Sequence, residues 1–99
     1  MKKTASKNSS GNVFRDLGFK SGEAENLQLR ARLMAEIEKY IRSEKITQFQ
    51  AAKRFGVTQP RISDLVRGKI HLFSVDTLIS MLTHAGLSVT VQVKKTRAA

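Results

Sequence analysis

Residues 47–69 read TQFQAAKRFGVTQPRISDLVRGK and determine how the rest of the chain is organised. Thr47 and Thr58 are each suited to the N-cap of a helix, because a threonine hydroxyl accepts a hydrogen bond from a free backbone N–H of the first turn. Pro60 falls in the first turn of the second helix, where its missing N–H removes no intrahelical bond. Gly56 can adopt the positive φ of a tight turn. The spacing predicts two short helices joined by such a turn.

The apolar residues of the same window fit between two helices that cross at a steep angle. Ala52 is small where the helices approach closest, and Gly68 supplies a C-terminal stop. Three aliphatic side chains, Val57, Ile62 and Leu65, can fill the remaining space. Each feature alone is weak support, and a plain helical hairpin is the alternative. Their joint spacing favours a helix-turn-helix.

Amphipathic helices are predicted on both sides of this motif. Ser21 can cap a long helix that runs to about Glu44, and its apolar residues recur at steps of three and four. Ser74 can cap a shorter helix that ends near Ala85, where Gly86 can adopt the left-handed conformation. The two helices supply apolar faces for a small core.

The hydrophobic period changes to two residues after Gly86. Val89, Val91 and Val93 alternate with polar residues, which is typical of a half-buried β-strand. A single strand leaves its backbone groups unpaired and needs a second one. Either its copy in another chain or the segment near Val13 could supply that strand.

Three regions are predicted along the chain. Residues 1–20 form a flexible basic arm that ends in an apolar segment, Val13 to Phe19, able to dock on the domain or on a partner. Residues 21–86 form the helix-turn-helix domain, and residues 87–99 form the strand and a basic tail. A chain of 99 residues builds only a small core, so a partner chain would help to bury apolar surface, and we expect a homodimer.

The chain is strongly basic, with 18 Lys and Arg against 8 Asp and Glu and a net charge of +10. Such an excess attracts polyanions by releasing condensed counterions, so nucleic acid is the leading partner class. An anionic membrane surface or an acidic protein stays open on composition alone. Five cations and one anion, Asp64, give residues 47–69 a net charge of +4, and this location favours nucleic acid.

Other classes lack support in the sequence. No apolar run approaches the about 18 residues needed to cross a bilayer, and no secretory signal is visible, so we expect no membrane partner. The absence of cysteine fits a reducing compartment, and we expect a cytoplasmic location. His71 and His84 lack the spacing of a zinc site. Without a nucleophile or paired-carboxylate motif, we expect no enzyme, no cofactor and no metal.

The segment ITQFQAAKRFGVTQPRISDLVRGKI resembles the lambda-repressor-like, Xre-type helix-turn-helix family. With NVFRDLGF, the long helix, LFSVDTLISMLTHAGL and the valine strand, most of residues 12–93 resembles the HigA-type antitoxins. The wider resemblance implies a mainly α domain of about five helices that dimerises on a palindromic DNA operator; a C-terminal β-strand completes the expected fold. The narrower resemblance implies an antitoxin that neutralises a toxin of the RelE/HigB fold and represses its own operon.

The second helix of the motif is the expected recognition helix, which enters the major groove with its N-terminal residues toward the base edges. Gln59 can pair bidentately with adenine and Arg61 with guanine. Asp64 can accept from cytosine or orient a neighbouring arginine, and Pro60 offers an apolar surface to a thymine methyl. The predicted base-reading residues are Gln59, Pro60, Arg61, Ser63 and Asp64.

A second set of residues is expected at the phosphates. Gln48 opens the first helix of the motif and matches the family position that clamps a phosphate. Arg67 and Lys69 follow the recognition helix, where phosphates would pass. With the two capping threonines, the predicted phosphate-binding residues are Thr47, Gln48, Thr58, Arg67 and Lys69. The alternative for each residue is a solvated surface side chain.

Three functions stay open from the sequence. The first is an antitoxin whose operator binding is tuned by a toxin, the second is a stand-alone, phage-type repressor without a toxin partner, and the third is a protein-binding module. The apolar segment Val13 to Phe19 favours the antitoxin. The charge is against it, because RelE-fold toxins are commonly basic and would have to meet this chain through local acidic or apolar contacts.

Overall fold

The computed structural model describes residues 12–95, which fold into five α-helices and one short 3₁₀ turn. This confirms the prediction of a mainly α fold of about five helices. No helix among the described residues is both long enough and apolar enough to span a membrane. The elements are α1 (Val13–Asp16), α2 (Ser21–Glu44), α3 (Gln48–Phe55), α4 (Gln59–Val66), the 3₁₀ turn (Ile70–Leu72) and α5 (Val75–His84).

Helices α3 and α4 begin at the threonines that the sequence indicates. Thr47 Oγ1 accepts a hydrogen bond from the Gln50 backbone N–H at 3.1 Å, and Gln50 Oε1 accepts one from the Thr47 N–H at 2.9 Å. This reciprocal capping box satisfies two N–H groups that no helical carbonyl reaches. Thr58 Oγ1 caps α4 by accepting from the Arg61 N–H at 3.4 Å. Gly56 ends α3 with a φ of 69° and turns the chain into α4.

One apolar cluster joins α2, α3, α4 and α5. The Phe55 ring at the end of α3 meets the Tyr40 ring on α2 edge-on, with centroids 5.3 Å apart. Phe73, between the 3₁₀ turn and α5, is completely buried although no helical pattern contains it. It anchors the segment that leaves α4. The most deeply buried large side chains are Phe55, Phe73, Ile37, Ile62, Leu78 and Met81.

Helix α1 is held against the N-terminal part of α2 by the buried side chain of Asn12. Asn12 Oδ1 accepts from the backbone N–H groups of Phe14 and Arg15, at 3.0 and 3.2 Å. Asn12 Nδ2 donates to the Ala24 carbonyl at 3.1 Å. One side chain therefore caps α1 and ties it to α2.

The predicted docking segment, Val13 to Phe19, contacts the domain itself without being fully covered by it. The rings of Phe14 and Phe19 meet edge-on, with centroids 6.1 Å apart. Val13 and Leu17 remain 55% and 71% exposed. The rest of the predicted basic arm, residues 1–11, lies outside the described residues.

The strand predicted at Val89 to Val93 does not form within residues 12–95. Gly86 turns the chain out of α5 with a φ of 88°, and the residues that follow are irregular. The physical reason is the missing second strand: the segment near the N-terminus forms helix α1, and a single chain offers no copy of residues 89–93. Val89 packs against the core, whereas Val91 and Val93 are 63% and 90% exposed.

Candidate nucleic-acid interface

Helix α4 buries one face and exposes the other. Ile62 and Leu65 are buried because they meet the apolar faces of α2 and α3. Gln59 and Pro60 are exposed at the start of the helix, and Ser63 lies half-buried one turn later. The first turn of α4 thus presents polar side chains on a rigid support, which a groove-reading helix requires.

Gln48 and Gln59 occupy equivalent positions in the two helices of the motif. Each is the first residue of its helix and follows a capping threonine. The first turn of a helix carries a partial positive charge from its aligned N–H groups, which favours anions such as phosphates. Gln48 is half-buried, whereas Gln59 is exposed.

Arg61, predicted to read a base, is turned toward the protein. Its Nη1 donates to the Leu72 carbonyl at 3.4 Å, and its guanidinium lies 5.3 Å from the centre of the Phe73 ring. No local pattern predicts these contacts, because Phe73 lies outside any amphipathic pattern. Arg61 therefore connects the first turn of α4 to the segment that follows the helix.

A second arginine holds the same segment from α2. Arg30 Nη1 donates to the Ile70 carbonyl at 3.4 Å, and its Nε donates to Asn26 Oδ1 at 2.6 Å. Together with Arg61, Arg30 satisfies carbonyls of the 3₁₀ turn. Neither contact follows from local spacing, since 40 residues separate Arg30 from Ile70.

The residues at the end of α4 form an exposed basic edge. Lys69 Nζ lies 3.6 Å from Asp64 Oδ1, so Asp64 forms its ion pair with a lysine and not with a neighbouring arginine. Both side chains are partly exposed, so this pair contributes at most about 1 kcal/mol. Arg67, the C-cap of α4, is exposed and has no ion pair among residues 12–95. Arg67 can thus bind an anion directly, whereas Lys69 would have to leave Asp64 in order to bind one.

Arg54 contributes to the positive charge of the motif but is already engaged by α2. Its Nη1 donates to Tyr40 Oη at 3.0 Å and to Glu44 Oε1 at 3.4 Å. These contacts, first the hydroxyl of Tyr40 and then Glu44, raise the pKa of Arg54 above its usual value. Arg54 therefore supports the packing of α3 on α2.

Phe49 is an exposed aromatic residue of the motif for which the sequence pattern predicts no role. It is 57% exposed on α3, and Lys53 Nζ lies 5.0 Å from the centre of its ring. The one available signal is that Phe49 falls off the stripe formed by Ala51, Ala52 and Phe55, which are buried. Phe49 thus adds an apolar surface next to the capping box of α3.

His84 packs against the turn between α3 and α4. Its Nδ1 lies 3.1 Å from the Arg54 carbonyl, and a Cβ added to Gly56 would lie 2.8–2.9 Å from its ring. Gly56 is therefore required both for its positive φ and for the close approach of His84. No group of three or more metal-binding side chains occurs among the described residues.

A protein family and a solved structure resemble the chain over most of its length. A family model described as a helix-turn-helix domain matches residues 13–94, which include α1 to α5 and every predicted DNA-contacting residue. A solved structure provisionally named as an XRE-family transcriptional regulator is 32% identical in sequence, with a TM-score of 0.70. The similarity covers 78% of this chain and 90% of that one. No curated protein matches the sequence.

Proposed function

Because the chain belongs to the XRE family of helix-turn-helix transcriptional regulators, we propose that it is a sequence-specific repressor that binds double-stranded DNA as a homodimer. The observation that carries the proposal is the geometry of α4. Its inner face is fixed by buried Ile62 and Leu65, and Gln59 and Pro60 are exposed in its first turn. Such a helix can enter a major groove without losing its support.

The proposed base contacts follow from the chemistry of the exposed face. Gln59 pairs bidentately with adenine and Arg61 with guanine, and each pair discriminates against a wrong base by about 1–3 kcal/mol. Pro60 contacts a thymine methyl, and Ser63 contacts either type of base. Asp64 accepts from cytosine if DNA releases it from Lys69.

The proposed phosphate contacts surround this face. Gln48 donates from the start of α3, and the first turns behind Thr47 and Thr58 direct their helix dipoles at phosphates. Arg67 and Lys69 bind phosphates beyond the end of α4. In the homodimer, two α4 helices lie about 34 Å apart in successive major grooves, and the bound dimer blocks a promoter. A regulator of this kind acts beside the DNA, so we propose a cytoplasmic location.

The experiment is a titration of the full chain against the DNA upstream of its own gene, beside scrambled DNA, at two salt concentrations. We expect tight and selective binding that the double variant Gln59→Ala/Arg61→Ala abolishes. Arg32→Ala removes the same single positive charge from the exposed surface of α2, and it should bind like the unmodified chain. Weak, unselective binding that disappears with salt would contradict the proposal and favour the protein-binding module.

A second, narrower candidate is an antitoxin that also neutralises a RelE/HigB-type toxin. The specific observation in its favour is the uncovered apolar surface of Val13, the first residue of α1, and of Leu17, its C-cap. We expect the product of an adjacent small open reading frame to co-purify with the chain and Val13→Asp/Leu17→Asp to release it. A chain without such a neighbour, or with one that does not bind, is a stand-alone repressor.

A further inference from the structure

Residues 87–95 carry an apolar face that the folded domain does not cover. In an extended chain alternate side chains share one face, so Leu87, Val89, Val91 and Val93 would lie together if these residues formed a strand. Val89 packs against the core, but Val91 and Val93 are 63% and 90% exposed. The apolar face therefore begins on the core and continues beyond it.

The backbone of the same segment also lacks partners. The Leu87 N–H donates to the Leu82 carbonyl at 2.9 Å, and this is the last backbone–backbone hydrogen bond toward the C-terminus in the described part of the chain. The N–H and carbonyl groups of residues 88–95 make no such bond within residues 12–95. An alternating segment with a free backbone is a template for another strand.

We propose that this segment pairs with the same segment of a second copy of the chain, as an antiparallel two-stranded ribbon centred on Val91. In this register Val91 lies opposite Val91 of the partner subunit, and Val89 lies opposite the partner's Val93. Every valine of the segment then faces a valine. The inference names the surface that assembles the homodimer, and in that respect it rests on the proposed function.

The charges of the segment favour a second copy in the antiparallel direction. Parallel pairing would set Lys94 and Lys95 beside their own copies, and like charges directly opposite destabilise a strand pair. Antiparallel pairing sends the two lysine pairs to opposite ends of the ribbon. Lys95 then lies opposite the partner's Leu87, whose side chain the lysine methylenes can cover.

The ribbon is stabilised by its connection to the core. An isolated two-stranded ribbon is marginal in water. Here Val89 contacts the core of its own chain, so the two valine rows extend two existing cores instead of standing alone. The ribbon thereby joins the domains through apolar contacts and backbone hydrogen bonds together.

Cysteine cross-linking tests the register directly, because the full chain contains no cysteine. Directly opposed residues in an antiparallel pair have Cα atoms about 4.5–5.5 Å apart, within reach of a disulfide. We expect Val91→Cys to form a covalent dimer under mild oxidation. Val93→Cys alone, although more exposed, should not, since its copy is displaced by four residues, or about 13 Å. A mixture of Val93→Cys and Val89→Cys chains should cross-link.

Charge pairing provides an independent test by sedimentation equilibrium. Val91→Lys and Val91→Glu each place two like charges at the centre of the ribbon, so each should raise the dimer dissociation constant at least about tenfold. An equimolar mixture should restore dimers, because unlike charges then face each other. Circular dichroism checks that the domain stays folded, which we expect at so exposed a position.

These experiments distinguish a failure of the ribbon from a failure of the proposed function. Equal cross-linking of Val91→Cys and Val93→Cys, or a dimer that Val91→Lys leaves unchanged, would overturn the ribbon. Selective DNA binding by such a dimer would leave the proposed function standing. A wild-type chain that stays monomeric on and off DNA overturns the ribbon as well. A cross-linked dimer that binds all DNA alike supports the ribbon and overturns the proposed function.

Discussion

Arg61 contacts the segment that follows α4, and the guanine contact proposed for it would require the side chain to leave these partners. In the folded chain it lies over the Phe73 ring and donates to the Leu72 carbonyl. A partly exposed cation–π contact is worth about 0.5–1 kcal/mol, whereas a bidentate guanine contact is worth about 1–3 kcal/mol. We therefore expect Arg61 to leave the ring when it meets its base, and the ring to hold it within reach until then.

The variant Arg61→Lys tests whether Arg61 reads a base. Lysine keeps the charge but loses the planar fork, so discrimination at one base pair of the operator should fall about tenfold or more. The free energy of unfolding should change by less than about 1 kcal/mol. Competition among operators altered at each position measures the first effect, and urea titration the second. Arg32→Lys on α2 is the control; unchanged discrimination in Arg61→Lys would show that Arg61 reads no base.

Gly56→Ala should destabilise the domain by about 1–3 kcal/mol. Part of the loss comes from the positive φ of 69°, and part from the contact of the new Cβ with His84. Gly68→Ala is a matched control, because Gly68 has a φ of 75° but nothing within 4 Å of the added Cβ. Urea denaturation should show a larger loss for Gly56→Ala, and the His84→Ala background should remove the difference. Equal losses in both backgrounds would contradict the steric argument.

Helix α1 depends on its contact with α2, because a helix of four residues has no stability of its own. Asn12→Asp keeps the oxygen that caps α1 but removes the amide donor to the Ala24 carbonyl and places a charge in a buried position. We expect α1 to detach, with faster amide hydrogen exchange at Phe14 and Arg15. Exchange in α3 and α5 should stay nearly unchanged. Equal acceleration in all helices would mean that Asn12 supports the whole domain.

Local signals in the sequence predict most of the helices. Helices α3 and α4 begin at threonine caps, and α2 and α5 have a regular apolar period, so short-range chemistry defines them. Helix α1 is too short to show a period, and its anchor, Asn12, binds Ala24, twelve residues away. The predicted strand is not confirmed within residues 12–95, because strand formation depends on a second strand that these residues do not supply.

The candidate site was predictable to a similar extent. The exposure of Pro60 follows from its position on the side of α4 opposite buried Ile62 and Leu65, and Gln59 is exposed as the first residue of the helix. The contacts of Arg61 and Arg30 with the 3₁₀ turn were missed, because they join residues 11 and 40 positions apart. The apolar period of a sequence predicts which face of a helix is buried, but it does not predict which partner a long side chain contacts.

Across the whole molecule, a net charge of +10 makes DNA binding depend on salt, but the cations are not equivalent. Arg67→Gln should weaken binding to all sequences and lower the slope of log affinity against log salt by about 1 per protomer. Arg54→Gln removes the same charge from a residue already paired with Glu44, so the slope should hardly change. Affinities between about 50 and 200 mM salt give both slopes. An equal decrease would mean that bulk charge governs binding.

The uncovered valine face has a consequence for the behaviour of the protein at high concentration. Short, alternating β-prone runs with a free backbone are the usual starting points of fibrous aggregation. In this chain Lys94 and Lys95 directly follow the exposed Val93, and charged residues beside such a run act as gatekeepers that oppose stacking of further copies. Neutralising both lysines should leave the folded domain intact while shortening the time in which a concentrated solution turns turbid.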